Sequence, residues 1–267
     1  MDKYRVKPGE RIKLKDFDPA DTSQFSDGKT AGLARLAELT KRLDELQEVL
    51  YAEHKHSILV VLQALDAGGK DGTIRSVLSG INPQGVHIAS FKVPTEQERD
   101  HDYLWRIHQQ APARGELVFF NRSHYEDVLI VRVHNLVSKD IWSRRYAQIS
   151  SFEQMLAEEG TTILKFYLNI SKDEQKQRLQ ERLDVPAKNW KFNPGDLQER
   201  ALWDDYMSAY EEAFTKTSTT LAPWYVIPAN HNWYRNLCVA SILVKTLEDL
   251  KMKYPAPATD LSSIVID

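Results

Sequence analysis

A chain of 267 residues, 42% hydrophobic and 27% charged with only 11 glycines and 11 prolines, matches one large globular domain and excludes collagen-like, elastic and wholly disordered chains. Its net charge of −3, from 35 Lys and Arg against 38 Asp and Glu, gives no global basic field, so no nucleic-acid partner is expected and any polyanion must be held locally. The apolar runs fall far short of the roughly 18 residues a membrane helix needs, the charged N-terminus lacks the apolar centre of a secretory signal, and the single cysteine, Cys238, precludes an intrachain disulfide. A cytoplasmic protein without a membrane partner is therefore expected, and the sequons at Asn121 and Asn169 are taken as chance. No HExxH or paired Cys/His spacing occurs, so a zinc site is not expected.

Residues 1–28 are polar, with turn signals at Pro8-Gly9, Asp18-Pro19 and Asp27-Gly28, and read as an arm or cover. From 29 to about 53, Leu36, Leu39, Leu43, Leu46 and Leu50 follow the three-and-four spacing of an amphipathic helix. About two heptads are too few for a coiled-coil seam, so this helix is expected to pack on the core rather than on a second chain. The apolar run 57–63 lacks polar alternation, as in a strand buried on both faces of a parallel sheet. Similar runs recur at 86–91, 117–120, 162–168 and 224–227. Helical patterns separate them, as in Trp142, Tyr146, Ile149, Phe152 and Leu156, then Leu202, Tyr206, Tyr210 and Ala213, then Trp233, Leu237, Ala240, Val244 and Leu247. This alternation predicts a single α/β domain whose mainly parallel sheet carries helices on both faces. Ligands of such sheets sit outside the carboxyl ends of the strands. Residues 255–267 begin as a Pro-rich tail.

Directly after the first strand comes Asp66-Ala67-Gly68-Gly69-Lys70-Asp71-Gly72-Thr73, then the helical stretch that begins at Ile74 and holds Arg75. A strand, a glycine loop and a helix in that order form a phosphate cradle, in which backbone N–H groups and the helix dipole meet the anion and a lysine reaches the outer phosphates. The match to the P-loop pattern is incomplete: Ala64 stands at its first glycine and Asp71 at its magnesium-binding Ser/Thr. Asp66 is unusual in such a loop, since a carboxylate repels phosphate unless a cation or proton intervenes. It serves either as a turn-forming side chain or as a magnesium ligand or positioning carboxylate. At the end of the third strand, Phe119-Phe120-Asn121-Arg122-Ser123-His124-Tyr125-Glu126-Asp127 occupies the Walker B position. There Arg122 is placed to neutralise phosphate, and Asp127 or Glu126 to hold a hydrated metal; an exposed Arg–Asp pair is the plainer alternative.

A third segment opens with Ser171 as N-cap and Glu174 three residues on, a capping box, and carries Arg178 and Arg182 four apart on one helix face. Residues 184–196 then break the helix with two prolines and a glycine while carrying Lys188 and Lys191. That pattern suits a lid over 171–196 that delivers cations onto phosphates and excludes water, although its charges alone also suit a solvated helix.

Taken together, these phrases, with Trp190-Lys191-Phe192 and Ala222-Pro223-Trp224-Tyr225, resemble those of the family-2 polyphosphate kinases over roughly residues 30–255. The resemblance implies a P-loop kinase fold of the thymidylate-kinase type, a three-layer sandwich with a five-stranded sheet and a helical lid. It implies reversible phosphoryl transfer between inorganic polyphosphate and adenine or guanine nucleotides, with Mg2+, in a homo-oligomer of two or four chains. Carried over by motif, Asp66 and Lys70 take Walker A roles, Arg122 and Asp127 Walker B roles, and Arg178 and Arg182 lid roles. Asp66 and Asp127 are the implied metal ligands. Phosphate binding falls to the loop from Ala67 to Thr73 with Arg75, Lys188 and Lys191, and nucleotide binding to Asn121 and Glu126. The Tyr125-Glu126-Asp127 ending resembles the subgroup that phosphorylates both AMP and ADP. The alternatives are transfer to one acceptor class only, an ATP-dependent nucleotide kinase of the same fold, and a nucleotide-binding switch without turnover.

Overall fold

The structure, a computed structural model, describes residues 1–259 together with 261, 264 and 266; the rest of the tail lies outside the described residues. In chain order the elements are α1 (Gly28–Glu53), β1 (Ser57–Gln63), α2 (Lys70–Val77), β2 (Val86–Ser90), the one-turn α3 (Glu96–Arg99) and α4 (Trp105–His108), and β3 (Leu117–Asn121). They continue through α5 (Ile130–Val133), α6 (Lys139–Glu158), β4 (Thr161–Asn169), α7 (Lys172–Asp184), α8 (Gly195–Ala201), α9 (Trp203–Thr217), β5 (Trp224–Pro228) and α10 (Asn232–Asp249).

Among the described residues the five strands form one sheet in the order β2-β3-β1-β4-β5, and every pairing is parallel. β1 lies in the middle, fully buried and flanked by β3 and β4, so the glycine loop leaves the sheet at its centre. Burial on both faces is what selects an unbroken branched apolar run. One core layer packs α1 and α10 against Ile58, Val60 and Leu62, and the other packs α6 and α9 against Leu59 and Val61. β2 departs from the pattern: it is an edge strand with Ile88 53% exposed and His87 and Ser90 also exposed.

The leucine stripe of α1 is buried against α10 within this chain, as expected for a core-packing helix. Close approach of the two helices depends on Gly32, because a methyl group there would overlap the Trp233 ring. The arm is more deeply built in than its polarity suggests. Tyr4, Val6, Ile12 and Leu14 are buried, Arg5 bridges Tyr225 antiparallel, and Val6 N–H donates to the Trp224 carbonyl at 2.9 Å. Tyr4 also shares a 2.5 Å hydrogen bond with Tyr234.

A buried polar cluster ties the Walker B turn to the sheet. Lys165 on β4 donates to Glu153 of α6 at 2.5 Å, to the Tyr125 hydroxyl at 2.8 Å and to the Thr217 carbonyl at 2.8 Å. Glu153 also accepts from Tyr125 at 2.8 Å and pairs with His124 at 3.1 Å. Burial opposes the Glu153 charge, but Lys165 and His124 outweigh it and hold the carboxyl below its ordinary range. Lys165 and Glu153 therefore form a fully satisfied buried ion pair.

Candidate active site

Where β1 ends, the chain turns through Ala67 at φ +58° and Gly69 at φ +99° into α2. The steric demand for glycine falls on positions 68 and 69: a methyl on Gly68 would press on the Ala64 side chain and the Leu65 carbonyl, and Gly69 is left-handed. Ala64 is not among the positive-φ residues, so the loop does without glycine there. Lys70 folds back to donate to the Ala64 carbonyl at 2.9 Å. Burial, then the Arg122 charge, lowers its pKa from the ordinary lysine value. Asp71 accepts from Asn121 Nδ2 at 2.7 Å, so the carboxylate in the Ser/Thr position ties the start of α2 to the end of β3.

Arg122 follows β3 with φ +63°, an uncommon conformation for a bulky residue and one that marks a constrained site. Its backbone N–H donates to the Leu62 carbonyl at 3.1 Å, and its Nη2 meets Asp66 Oδ1 at 3.1 Å. Burial works against its charge, while Glu126 and Asp66 more than offset it.

Two cavities meet at this pair. The first, about 560 Å³, is floored by the glycine loop and carries Lys70, Lys92, Arg122, Arg182 and Lys191 against Asp66 and Asp71, with Trp190 on its wall. The second, about 210 Å³, inverts the charge: Asp66, Glu126, Asp196 and Glu199 face Arg122 beside Tyr206 and Tyr210. Burial and the charge of Asp66 push the Asp196 carboxyl upward, so this wall favours an added positive charge. Asp196 also accepts from Arg182 at 2.7 Å.

Several expected residues stand elsewhere. Asp127 lines a third cavity, of about 650 Å³, with Arg106 and Arg145. It accepts from Arg145 at 3.0 Å, and burial pushes its carboxyl up to about 6. The reason is local: residues 124–128 form a 3-10 turn, in which consecutive side chains diverge by about 120°, so Glu126 faces Asp66 and Asp127 does not. Arg178 spends its guanidinium on the carbonyls of Ala67, Ala229 and Asn230 at 3.1, 2.6 and 3.1 Å, which braces the loop from outside the cavity. Thr73 is buried and donates back to the Gly69 carbonyl at 3.1 Å. Arg75 is exposed further along α2, and Lys188 pairs with Glu181 at 2.5 Å. Ser171 caps α7 by accepting from Glu174 N–H at 3.1 Å, but the Glu174 carboxylate turns to Arg178 at 2.7 Å, leaving the capping box half formed. Among the described residues no group of three or more His, Cys, Asp or Glu side chains converges as a metal site.

The motif reading missed Lys92, Asp196, Tyr206 and Tyr210, which sit in loops or helices without recognisable phosphate-binding signatures, and Gln175, whose Nε2 donates to the Asp66 carbonyl at 3.0 Å. The three-residue spacing from Arg178 back to Gln175 on α7 was the available signal for the last of these.

Comparison with known proteins bears on the family and the fold. Residues 26–255 match the family described as Polyphosphate kinase 2 (PPK2). The chain is 66% identical over 267 residues, the whole of both chains, to the AMP/ADP-polyphosphate phosphotransferase of Meiothermus ruber. It is 45% identical over 264 residues, 94% of this chain and 91% of the relative, to the ADP-polyphosphate phosphotransferase of Rhodopseudomonas palustris. The crystal structure of polyphosphate kinase 2 from Arthrobacter aurescens TC1 superposes with a TM-score of 0.94 at 48% identity, covering 97% of this chain and 93% of that one. With its parallel five-stranded sheet and central glycine loop, the chain belongs to the polyphosphate kinase 2 family, whose members have a P-loop kinase fold.

Proposed function

We propose that the protein transfers phosphoryl groups from inorganic polyphosphate to nucleoside mono- and diphosphates, converting AMP to ADP and ADP to ATP, and that it also runs the reverse reaction. The observation that carries this reading is the Asp66–Arg122 pair, 3.1 Å apart, shared by a cationic cavity and an acidic, tyrosine-lined one. A polyanion with no base or sugar needs a run of positive charge, and Lys70, Lys92, Arg122, Arg182 and Lys191 supply one. The nucleotide takes the other side, with its terminal phosphate directed at Arg122 and with Tyr206 and Tyr210 as apolar wall.

In this arrangement Arg122 touches both the departing phosphoryl group and the acceptor, and Lys70 swings from the Ala64 carbonyl to the phosphates. Charge delocalised over the transferring group is then met by fixed cations in a partly dry site. Asp66 and Asp196 suit a hydrated magnesium ion, which takes one or two carboxylates plus substrate phosphates and keeps several waters. Held there by Asp66 and Asp196, magnesium would supply positive charge against the phosphates. Asp66, anchored by Arg122, orients the acceptor for in-line attack. The same reading carries a homo-oligomer and a cytoplasmic location; among the described residues no helix is long and apolar enough to cross a membrane.

The test supplies magnesium and AMP with either long-chain polyphosphate or ATP as the only donor and follows products by anion-exchange chromatography. ADP and then ATP from polyphosphate are expected. ADP formed from ATP alone overturns the donor assignment, and ATP made from ADP with no product from AMP overturns the dual acceptor.

A further inference from the structure

α10 is apolar along most of its length, yet its first turn carries Arg235, only 2% exposed. A guanidinium removed from water is ordinarily paired with a carboxylate. Arg235 instead donates to neutral oxygens, to the Asn236 side chain from Nε and Nη2 at 3.1 and 2.9 Å and to Asn232 from Nη1 at 2.7 Å. Among the described residues it has no acidic partner. Burial and the neighbouring charge of Arg178 push its pKa down to about 9, so it remains a cation at neutral pH.

This uncompensated charge lies directly behind the glycine loop. A methyl group on Gly69 would overlap Arg235 Nη1, and one on Gly72 would stand 3.4 Å from Nη2. Gly69 is also the left-handed residue that opens α2, so only backbone separates the guanidinium from the place where phosphate is received. A buried cation in a low-dielectric setting is poorly screened, and the polar cluster that orients it would be superfluous if the position needed only apolar packing.

We propose that Arg235 is a positioning residue for phosphoryl transfer: it backs the glycine loop at Gly69, fixes the turn that presents the loop's N–H groups, and adds positive potential that only a bound phosphate neutralises. This rests on the phosphate-transfer reading above and deepens it.

The test compares Arg235→Met, Arg235→Gln and Arg235→Lys in the full chain by calorimetric titration with tripolyphosphate, by kcat and KM with polyphosphate and ADP, and by thermal unfolding. Loss of one nearby charge is expected to weaken tripolyphosphate binding roughly tenfold in R235M. A loosened loop is expected to lower kcat roughly ten- to a hundredfold, while KM for ADP stays near the parent value and R235K recovers most of both losses. Parent-like affinity and kcat in a folded R235M overturn the proposal. Should R235M fail to fold, R235Q and R235K decide, with a gap of roughly tenfold between them expected and equal values overturning the role of charge. If the parent protein makes no ATP from polyphosphate, the functional reading falls while the tripolyphosphate titration still decides Arg235.

Discussion

Replacing Lys165 by Met removes one half of the buried pair and leaves the Glu153 carboxylate with His124 and Tyr125 as its remaining partners. Breaking such a pair on one side costs about 3–5 kcal/mol, because the stranded charge keeps its full desolvation penalty. For a chain of this size each kcal/mol moves Tm by about 2–4 °C, so K165M should melt roughly 6–20 °C below the parent. The pH dependence gives a sharper readout. In the parent, the lowered Glu153 pKa adds stability that is present above its ordinary value of 4.5 and lost as pH falls through the folded value. In K165M burial dominates and raises that pKa, so the variant should gain more stability than the parent on acidification from pH 7 toward 5, beyond what Asp127 contributes to both. Urea melts at several pH values measure both slopes. A K165M variant within about 1 kcal/mol of the parent, or one whose pH slope matches it, would refute the argument that this pair anchors the Walker B turn.

Four further outcomes follow from the site and the core. Asp66→Asn and Lys70→Ala should each lower kcat by roughly 10² or more with the fold intact by circular dichroism; parent-like turnover in either removes that residue from the mechanism. Asp127, with its carboxyl raised to about 6, contributes stability that is present below its ordinary value of 3.8 and is lost as pH rises through 6; Asp127→Asn should flatten that part of the stability profile. Gly32→Ala should cost about 1–3 kcal/mol by overpacking against Trp233, measured by urea unfolding. Trp190, 78% exposed on the wall of the cationic cavity, should change its fluorescence when tripolyphosphate binds, and Trp190→Phe should abolish most of that change.

The sheet was legible because its central strands are buried on both faces and so must be written in unbroken apolar residues, as Ile58–Leu62 are. β2 carries the weakest signal for the same reason, since an edge position with Ile88 in solvent asks little of its sequence. That Asp66, Lys70 and Arg122 come together at one cavity was legible because each stands at a fixed offset from a strand end. Asp127 stands beside Arg145 rather than Asp66 because adjacency in sequence says nothing about which way a 3-10 turn sends each side chain. Arg178 and Arg182 share a helix face as their spacing demands, but that spacing could not disclose that Arg178 finds its acceptors on the Ala67, Ala229 and Asn230 carbonyls. Arg235 carries no motif: it is the one charge between 232 and 244 of α10, a pattern whose meaning depends on the loop that packs against it.

The docking of the first residues against β5 and α10 bears on how the chain folds during synthesis. Tyr4 and Tyr234 are 230 residues apart in sequence, and the Val6 bond to Trp224 spans nearly as much. Residues 4–6 therefore lack their β5 and α10 partners until those elements emerge, whereas α1 and β1 lie close together in sequence. Contacts of such long sequence separation form late and slow the final step. Closure of the arm should accordingly be a post-translational event, and a bulky fusion at the N-terminus should delay refolding more than one placed beyond α10.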